Sequence, residues 1–275
     1  MDPLHPDINH VLDFLTKLFH TGIGYSALNT ARSAVSALCS TNDCMTLGAH
    51  PLVKRFMRGV FNLRPTKPRY STTWDVNRVL EFLQSTSPVE LLPLKDLTQK
   101  LAMLIALSTA ARSQTLSLLS LSNMTVTDDG FSFTFDQLLK QSRPGYVTPN
   151  VRLRSYTPDT KLCVCSTLQE YLVRTKALRG DVKQLFISYV KPFRPVSSST
   201  ISRWIRDVMQ QSGIDIDQFK PHSVRAATTS KAKASLVPID HILKTAGWSS
   251  GSTFAKFYDK PVQQENTFAQ EVLKC

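Results

Sequence analysis

The stretch Pro221-His222-Ser223-Val224-Arg225, with Gly247-Trp248-Ser-Ser-Gly-Ser-Thr-Phe-Ala-Lys-Phe257-Tyr258-Asp259-Lys260 downstream of it, decides how this chain reads. A histidine and an arginine at i and i+3 of a helix start share one face, so both can converge on one anionic group. Tyr258 stands among polar neighbours at the end of the second run. Further back, Ala110-Ala111-Arg112-Ser113-Gln114-Thr115-Leu116 sets an arginine at the end of an apolar helix. A guanidinium there must be paired or must point at something anionic. Lys140 precedes the turn Ser142-Arg143-Pro144-Gly145, and a β-hairpin tip can carry a lysine outward. Taken singly, each has an ordinary explanation: a helix-surface pair, a core tryptophan, a packed tyrosine with a bonded hydroxyl, a solvated lysine. In the order Arg, Lys, His-x-x-Arg, Trp, Tyr they are far more specific.

Charge points the same way. Among 275 residues, 33 Lys and Arg stand against 21 Asp and Glu, a net charge of +12. A folded chain this basic commonly meets a polyanion, and nucleic acid is the commonest. Hydrophobic residues at 42% and charged residues at 20% exclude a disordered tail, a collagen-like repeat and a disulfide mini-scaffold. The most apolar run, Leu101 to Ala111, is interrupted by Ser108 and Thr109 and falls short of the roughly 20 residues that span a bilayer. The N-terminal residues lack the basic start and apolar run of a secretory signal, so no membrane partner is expected. Cys39, Cys44, Cys163, Cys165 and Cys275 form no CxxC pair and no zinc spacing, so we expect reduced thiols, an intracellular protein and no metal site.

The periodicity divides the chain at about residue 70. Residues 1–69 read as a small helical domain with three apolar stripes: Ile8 to Phe19, Leu28 to Leu38, and Leu52 to Val60. Its last helix runs into a proline-stiffened linker. Lys54, Arg55, Arg58, Arg64, Lys67 and Arg69 lie there with no acidic residue between them. A solvated helix face accounts for that, but so does a chain that follows a duplex backbone, and we favour the latter as a DNA-binding surface, with Arg143 as a further contact. Residues 70–275 open with Ser71-Thr72-Thr73-Trp74, whose hydroxyls offer an N-cap, and continue with a nearly all-apolar helix over 96–111. Phe131, Phe133 and Phe135 alternate as a strand after Asp128-Asp129-Gly130, and Tyr146 to Leu153 is a second β-prone run. Helices follow over about 166–178, 198–211, 223–235 and 238–246, with a last one near the C-terminus. The fold class expected is mainly α with a small antiparallel β-sheet.

These motifs, in this order, resemble the catalytic domain of the tyrosine recombinases, the family of phage integrases and Xer-type recombinases. Arg112-Ser-Gln-Thr-Leu, Leu139-Lys140-Gln-Ser-Arg-Pro-Gly, Leu185-Phe-Ile-Ser-Tyr-Val-Lys-Pro-Phe and Gly247-Trp-Ser-Ser-Gly-Ser-Thr-Phe resemble the eukaryotic branch carried by DIRS-type retrotransposons and Crypton-like elements. The resemblance covers residues 25 to 260 or so and implies an N-terminal core-binding domain over 1–69 and a catalytic domain over 70–275. Two features depart from the pattern. Thr115 stands where many members carry an acidic residue, and Trp248 and Tyr258 are ten residues apart where nine is commoner. Phe257 occupies the nine-residue position, but only Tyr258 has a hydroxyl.

The resemblance implies a metal-free phosphoryl transfer with no small-molecule cofactor. Arg112 and Arg225 clamp the non-bridging oxygens, His222 donates to or accepts from the same phosphate, and Trp248 gives an indole donor. Lys140 protonates the departing 5′ oxygen, and Tyr258 forms a 3′-phosphotyrosyl link. A phenol with an ordinary pKa near 10 needs the cationic cluster to ease its deprotonation. The expected partners are double-stranded DNA and further copies of the chain, in the nucleus, for integration of a mobile element. Alternatives are a catalytically silent, element-derived DNA-binding protein and a type IB topoisomerase-like relaxation of supercoils.

Overall fold

Val11, Leu15, Leu28, Val53, Met57 and Val60 meet in one buried cluster, as three amphipathic stripes require when each must cover the others' apolar face. They lie on α1 (Ile8–His20), α2 (Tyr25–Leu38) and α3 (Pro51–Leu63). Asp7 caps α1 by accepting from the Asn9 amide at 2.7 Å, and Pro51 sits in the first turn of α3, where a missing N–H costs nothing. The computed structural model describes residues 4–39, 45–66, 70–140, 142, 145, 149–248 and 250–263. The chain divides into two units, Met1–Pro68 and Arg69–Cys275, each packed mainly upon itself.

The second unit is built around an apolar rod. It runs α4 (Val76–Ser85), α5 (Leu94–Thr109), α6 (Ser113–Ser117), the strands β1 (Met124–Thr127), β2 (Gly130–Phe133) and β3 (Val151–Arg154), then α7 (Val164–Thr175), α8 (Ser198–Gln211), α9 (Ser223–Ala234), α10 (Ile239–Ala246) and α11 (Gly251–Phe257). α5 is buried on nearly every side and packs against α7, α8, α9 and β3, which is why its sequence carries almost no polar face. Its Lys100 is 1% exposed, and the ammonium donates to the Leu83 and Thr86 carbonyls at 2.7 Å each and to Ser87 Oγ at 2.9 Å, closing the end of α4. The mostly helical fold with a small antiparallel sheet is the expected class.

Several local expectations are corrected. Asp75, not a hydroxyl of Ser71 to Thr73, caps α4, accepting from the Asn77 amide at 2.9 Å. Thr73 is instead buried in a parallel bridge to Val262. Arg112 does not end the apolar helix: α5 stops at Thr109, Ala110 turns left-handed, and Arg112 stands at the N-cap position of the short α6. The sheet has an additional strand, β1, pairing Met124 with Phe133 through Thr127 with Gly130; Phe135 lies beyond β2. The second β-prone run resolves to Val151–Arg154, and its residues 146–148 lie outside the described residues. Cys163 and Cys165 are buried and Cys39 is half-buried. No helix among the described residues is long and apolar enough to cross a membrane.

Candidate active site

α9 is where the site begins. Its buried residues include the small Ser223, Ala226, Ala227, Thr229 and Ser230 beside Val224 and Arg225. His222 occupies its N-cap position, exposed, and Arg225 enters the interior at 2% exposure. The Arg225 guanidinium donates to the Ala110 carbonyl and, at 2.9 Å, to the Ala246 carbonyl. Ala110 presents that carbonyl because it adopts a left-handed conformation (φ 49°) at the end of α5, a strained backbone for a residue with a Cβ. No carboxylate bonds Arg225 among the described residues, and its Nε has no partner. Burial, and then the nearby Arg112, pull its pKa down to about 10, while Tyr258 opposes the shift; the group is charged at neutral pH.

The second half of the site comes from the end of the chain. Gly247, at φ 68°, closes α10 in the left-handed region and turns the chain back, so that Trp248 folds against Phe254 with centroids 5.6 Å apart. Ala110, Ile242, Ala246, Trp248 and Phe254 form a small apolar cluster with Tyr258 packed on it. α11 is capped by Ser250 and ends at Tyr258, whose ring is 4.3 Å from Trp248 and 6.0 Å from His222 between centroids. Tyr258 Oη and His222 Nε2 share a hydrogen bond of 3.1 Å, its direction set by the imidazole tautomer. Arg225 Cζ lies 5.0 Å from the Trp248 centroid and 5.7 Å from that of Tyr258. The indole Nε1 of Trp248 is buried without a partner.

Tyr258 thus touches His222, Arg225 and Trp248, Arg225 also meets Trp248, and Arg112 is near enough to Arg225 to act on its charge. Arg112 also lines a cleft of about 740 Å³ with Arg225, Arg152, Arg154, His241 and Lys244, and no acidic residue lines it among the described residues. Lys140 is exposed, and its neighbour Leu139 lines the cleft. Thr115 is buried in α6. Among the described residues no group of three or more His, Cys, Asp or Glu side chains could hold a metal ion.

The basic residues assigned to DNA contact fall into three groups. Lys54, Arg55 and Arg58 are exposed on α3. Arg64 is held inside the first unit, its guanidinium 3.9 Å from the Phe19 centroid and donating to the Phe19 and Ile23 carbonyls at 2.7 and 3.2 Å. Lys67, Arg69 and Arg143 lie outside the described residues, as does the chain beyond Gln263.

Sequence reasoning passes over three residues that hold the site together. Trp74 Nε1 donates to Ser223 Oγ at 2.9 Å, Tyr70 Oη accepts from the Lys220 amide at 3.1 Å, and Ser230 bonds the backbone of Tyr258. Arg152 and Arg154 of the cleft are likewise hidden, although their alternation with Val151 and Leu153 marks them as the outward face of a strand.

Residues 72–265 match the model of the phage integrase family. No curated protein matches the sequence. Among solved structures, the XerH site-specific recombinase bound to its palindromic difH substrate superposes with TM-score 0.62 at 13% identity, over 90% of this chain and 67% of that one. A λ integrase fragment, a dimer bound to a COC′ core site, gives TM-score 0.53 at 15% identity, over 95% and 83%. The Tn1549 transposon integrase in complex with transposon right-end DNA gives 0.56 at 12%, over 97% and 83%. With the family's sequence model matched across most of the chain, and its fold found around a tyrosine hydrogen-bonded to the histidine of the His-x-x-Arg pair, the chain belongs to the phage integrase family of tyrosine recombinases.

Proposed function

We propose that this chain is a site-specific DNA strand transferase in which Tyr258 cleaves and rejoins duplex DNA through a 3′-phosphotyrosyl link. The observation that carries the reading is the Tyr258 hydroxyl bonded to His222 above a buried, carboxylate-free Arg225. A buried guanidinium without an anionic partner is costly unless an anion completes the site. The unpartnered Nε of Arg225 and Nε1 of Trp248 are further donors awaiting an acceptor, and a scissile phosphate supplies one.

The chemistry balances without a cofactor. Tyr258 Oη forms a bond to phosphorus, the P–O5′ bond breaks, and the tyrosine proton leaves through His222. Lys140 delivers a proton to the departing 5′ oxygen. Arg225 and Arg112 carry the extra charge of the phosphorane, where preorganised donors act most strongly. Religation is the same path reversed, since the phosphotyrosyl ester keeps the energy of the broken bond. Lys54, Arg55 and Arg58, with Lys67, Arg69 and Arg143, would contact the duplex backbone, the 1–69 domain and the 70–275 domain both engaging it. The solved relatives include a λ integrase dimer and a λ integrase tetramer on a Holliday junction, which supports assembly of several copies on DNA. The DIRS- and Crypton-like segments support a mobile-element integrase working in the nucleus on a circular DNA copy.

The test is covalent trapping on nicked duplexes carrying the element's termini, comparing wild type with Tyr258→Phe in EDTA. An adduct formed by wild type and absent from the variant, with DNA binding retained, is the expected result. Binding without any adduct would make the chain a silent DNA-binding protein. A strict Mg²⁺ requirement would overturn the metal-free path.

A further inference from the structure

The nucleophile's backbone is fastened to the helix that carries its histidine and arginine. Ser230, on α9 and 7% exposed, donates its hydroxyl to the Tyr258 carbonyl at 2.7 Å and accepts from the Lys260 amide at 3.0 Å. One turn further, Lys233 pairs with Asp259. Three consecutive residues, 258 to 260, are therefore bonded to α9, whose N-cap is His222. With the Tyr258 backbone held at its carbonyl, χ1 is the side-chain torsion that places Oη against His222 Nε2, because Oη lies on the χ2 axis. A hydroxyl is well suited to this, because it donates and accepts at once and leaves neither bonding capacity unused.

We propose that Ser230 is a positioning residue for the tyrosine nucleophile, acting through the backbone of Tyr258 to hold Oη against His222. This rests on the reading of Tyr258 as the nucleophile. The clasp is separate from the attachment of the segment as a whole. The Thr73 amide donates to the Pro261 carbonyl at 2.8 Å, and the Gln263 amide donates to the Thr73 carbonyl at 2.6 Å. Removing the Ser230 hydroxyl therefore leaves the following strap and the Lys233–Asp259 pair in place and frees the Tyr258 carbonyl and the Lys260 amide. Misplacement of a reacting atom by about 1 Å costs on the order of 100-fold in rate.

The experiment compares wild type, Ser230→Ala and Ser230→Thr in the full chain. Three quantities are read: the single-turnover rate of covalent adduct formation on saturating nicked duplex, the affinity for the same duplex, and the ¹⁵N shift of His222 Nε2 in DNA-free protein. Ser230→Ala is expected to slow adduct formation about 10- to 100-fold with affinity unchanged. Its His222 Nε2 signal should move as the bond to Tyr258 loosens, and Ser230→Thr, which keeps the hydroxyl, should restore both. An unchanged rate and an unchanged Nε2 signal in Ser230→Ala would overturn the proposal. So would a rate loss shared by both variants with falling affinity and an unmoved Nε2 signal, the mark of a purely structural serine. If wild type forms no adduct, the nucleophile reading fails, and the DNA-free Nε2 shift alone decides whether Ser230 positions Tyr258.

Discussion

Trp248 and Tyr258 lie ring against ring, centroids 4.3 Å apart and planes inclined by 38°, while the Trp248 Nε1 is buried and bonds nothing. The indole therefore has two separable duties: its ring supports the tyrosine, and its N–H waits for an acceptor.

Trp248→Phe separates them. The smaller ring costs about 1–2 kcal/mol of stability through lost packing, and loss of the donor should slow covalent adduct formation about 100-fold. Trp248→His retains an N–H donor and should cleave faster than Trp248→Phe despite packing no better. Adduct rates and melting temperatures of the two variants check this together.

Arg225 holds two helix ends, bonding Ala110 at the end of α5 and Ala246 at the end of α10. Lysine is a single point charge and cannot reproduce the fork. Arg225→Lys should leave one buried carbonyl unbonded and destabilise the second unit by about 1–3 kcal/mol, with adduct formation lost as well. Urea denaturation and trapping give the two readings.

Lys100 makes stability depend on pH. Burial lowers its pKa from 10.5 to about 8. Between those values the unfolded chain holds the proton and the folded chain sheds it, so the Lys100 contribution to stability rises with pH across that window and is flat below it. Lys100→Met should abolish the rise. The wild-type advantage over the variant should grow by about 1–2 kcal/mol from about pH 7.5 to about pH 9.5, as measured by chemical denaturation.

Gly130 opens β2 at φ 149°, and a Cβ there would stand 2.0 Å from the Leu153 carbonyl oxygen of β3. Gly130→Ala should break the β2–β3 pairing at a cost of about 3 kcal/mol, and the Lys140 connection that these strands anchor should lose its place. Thermal denaturation and the adduct rate should both fall.

The elements legible in the sequence are those whose burial is repetitive. α5 declares itself by apolar residues on every side, α8 by its stripe of Ile201, Trp204, Ile205 and Val208, and β2 by alternating phenylalanines. β1 leaves no such trace because it lies at the sheet edge with Thr125 to Thr127 exposed, so it shows no apolar alternation. Asp75, not one of the hydroxyls, caps α4 because the helix begins at Val76, while the Thr73 backbone pairs with the strap after Tyr258 and its buried hydroxyl bonds nothing, an arrangement that only the folded chain contains. Arg64 reads as one more linker cation until Phe19 and the end of α1 are brought beneath it.

The family, the order of its motifs and the helical character of both units are written locally along the chain, because chemically distinctive side chains and periodic burial leave local traces. Only the packed chain brings His222 to the hydroxyl of Tyr258, sets Arg225 across two helix ends instead of against a carboxylate, and makes an ordinary helix serine clasp the backbone of Tyr258. The physical reason is that hydrogen bonds between a side chain and a distant backbone carbonyl leave no pattern in residue type or spacing. They exist only once packing has brought the ends of α5, α10 and α11 against α9.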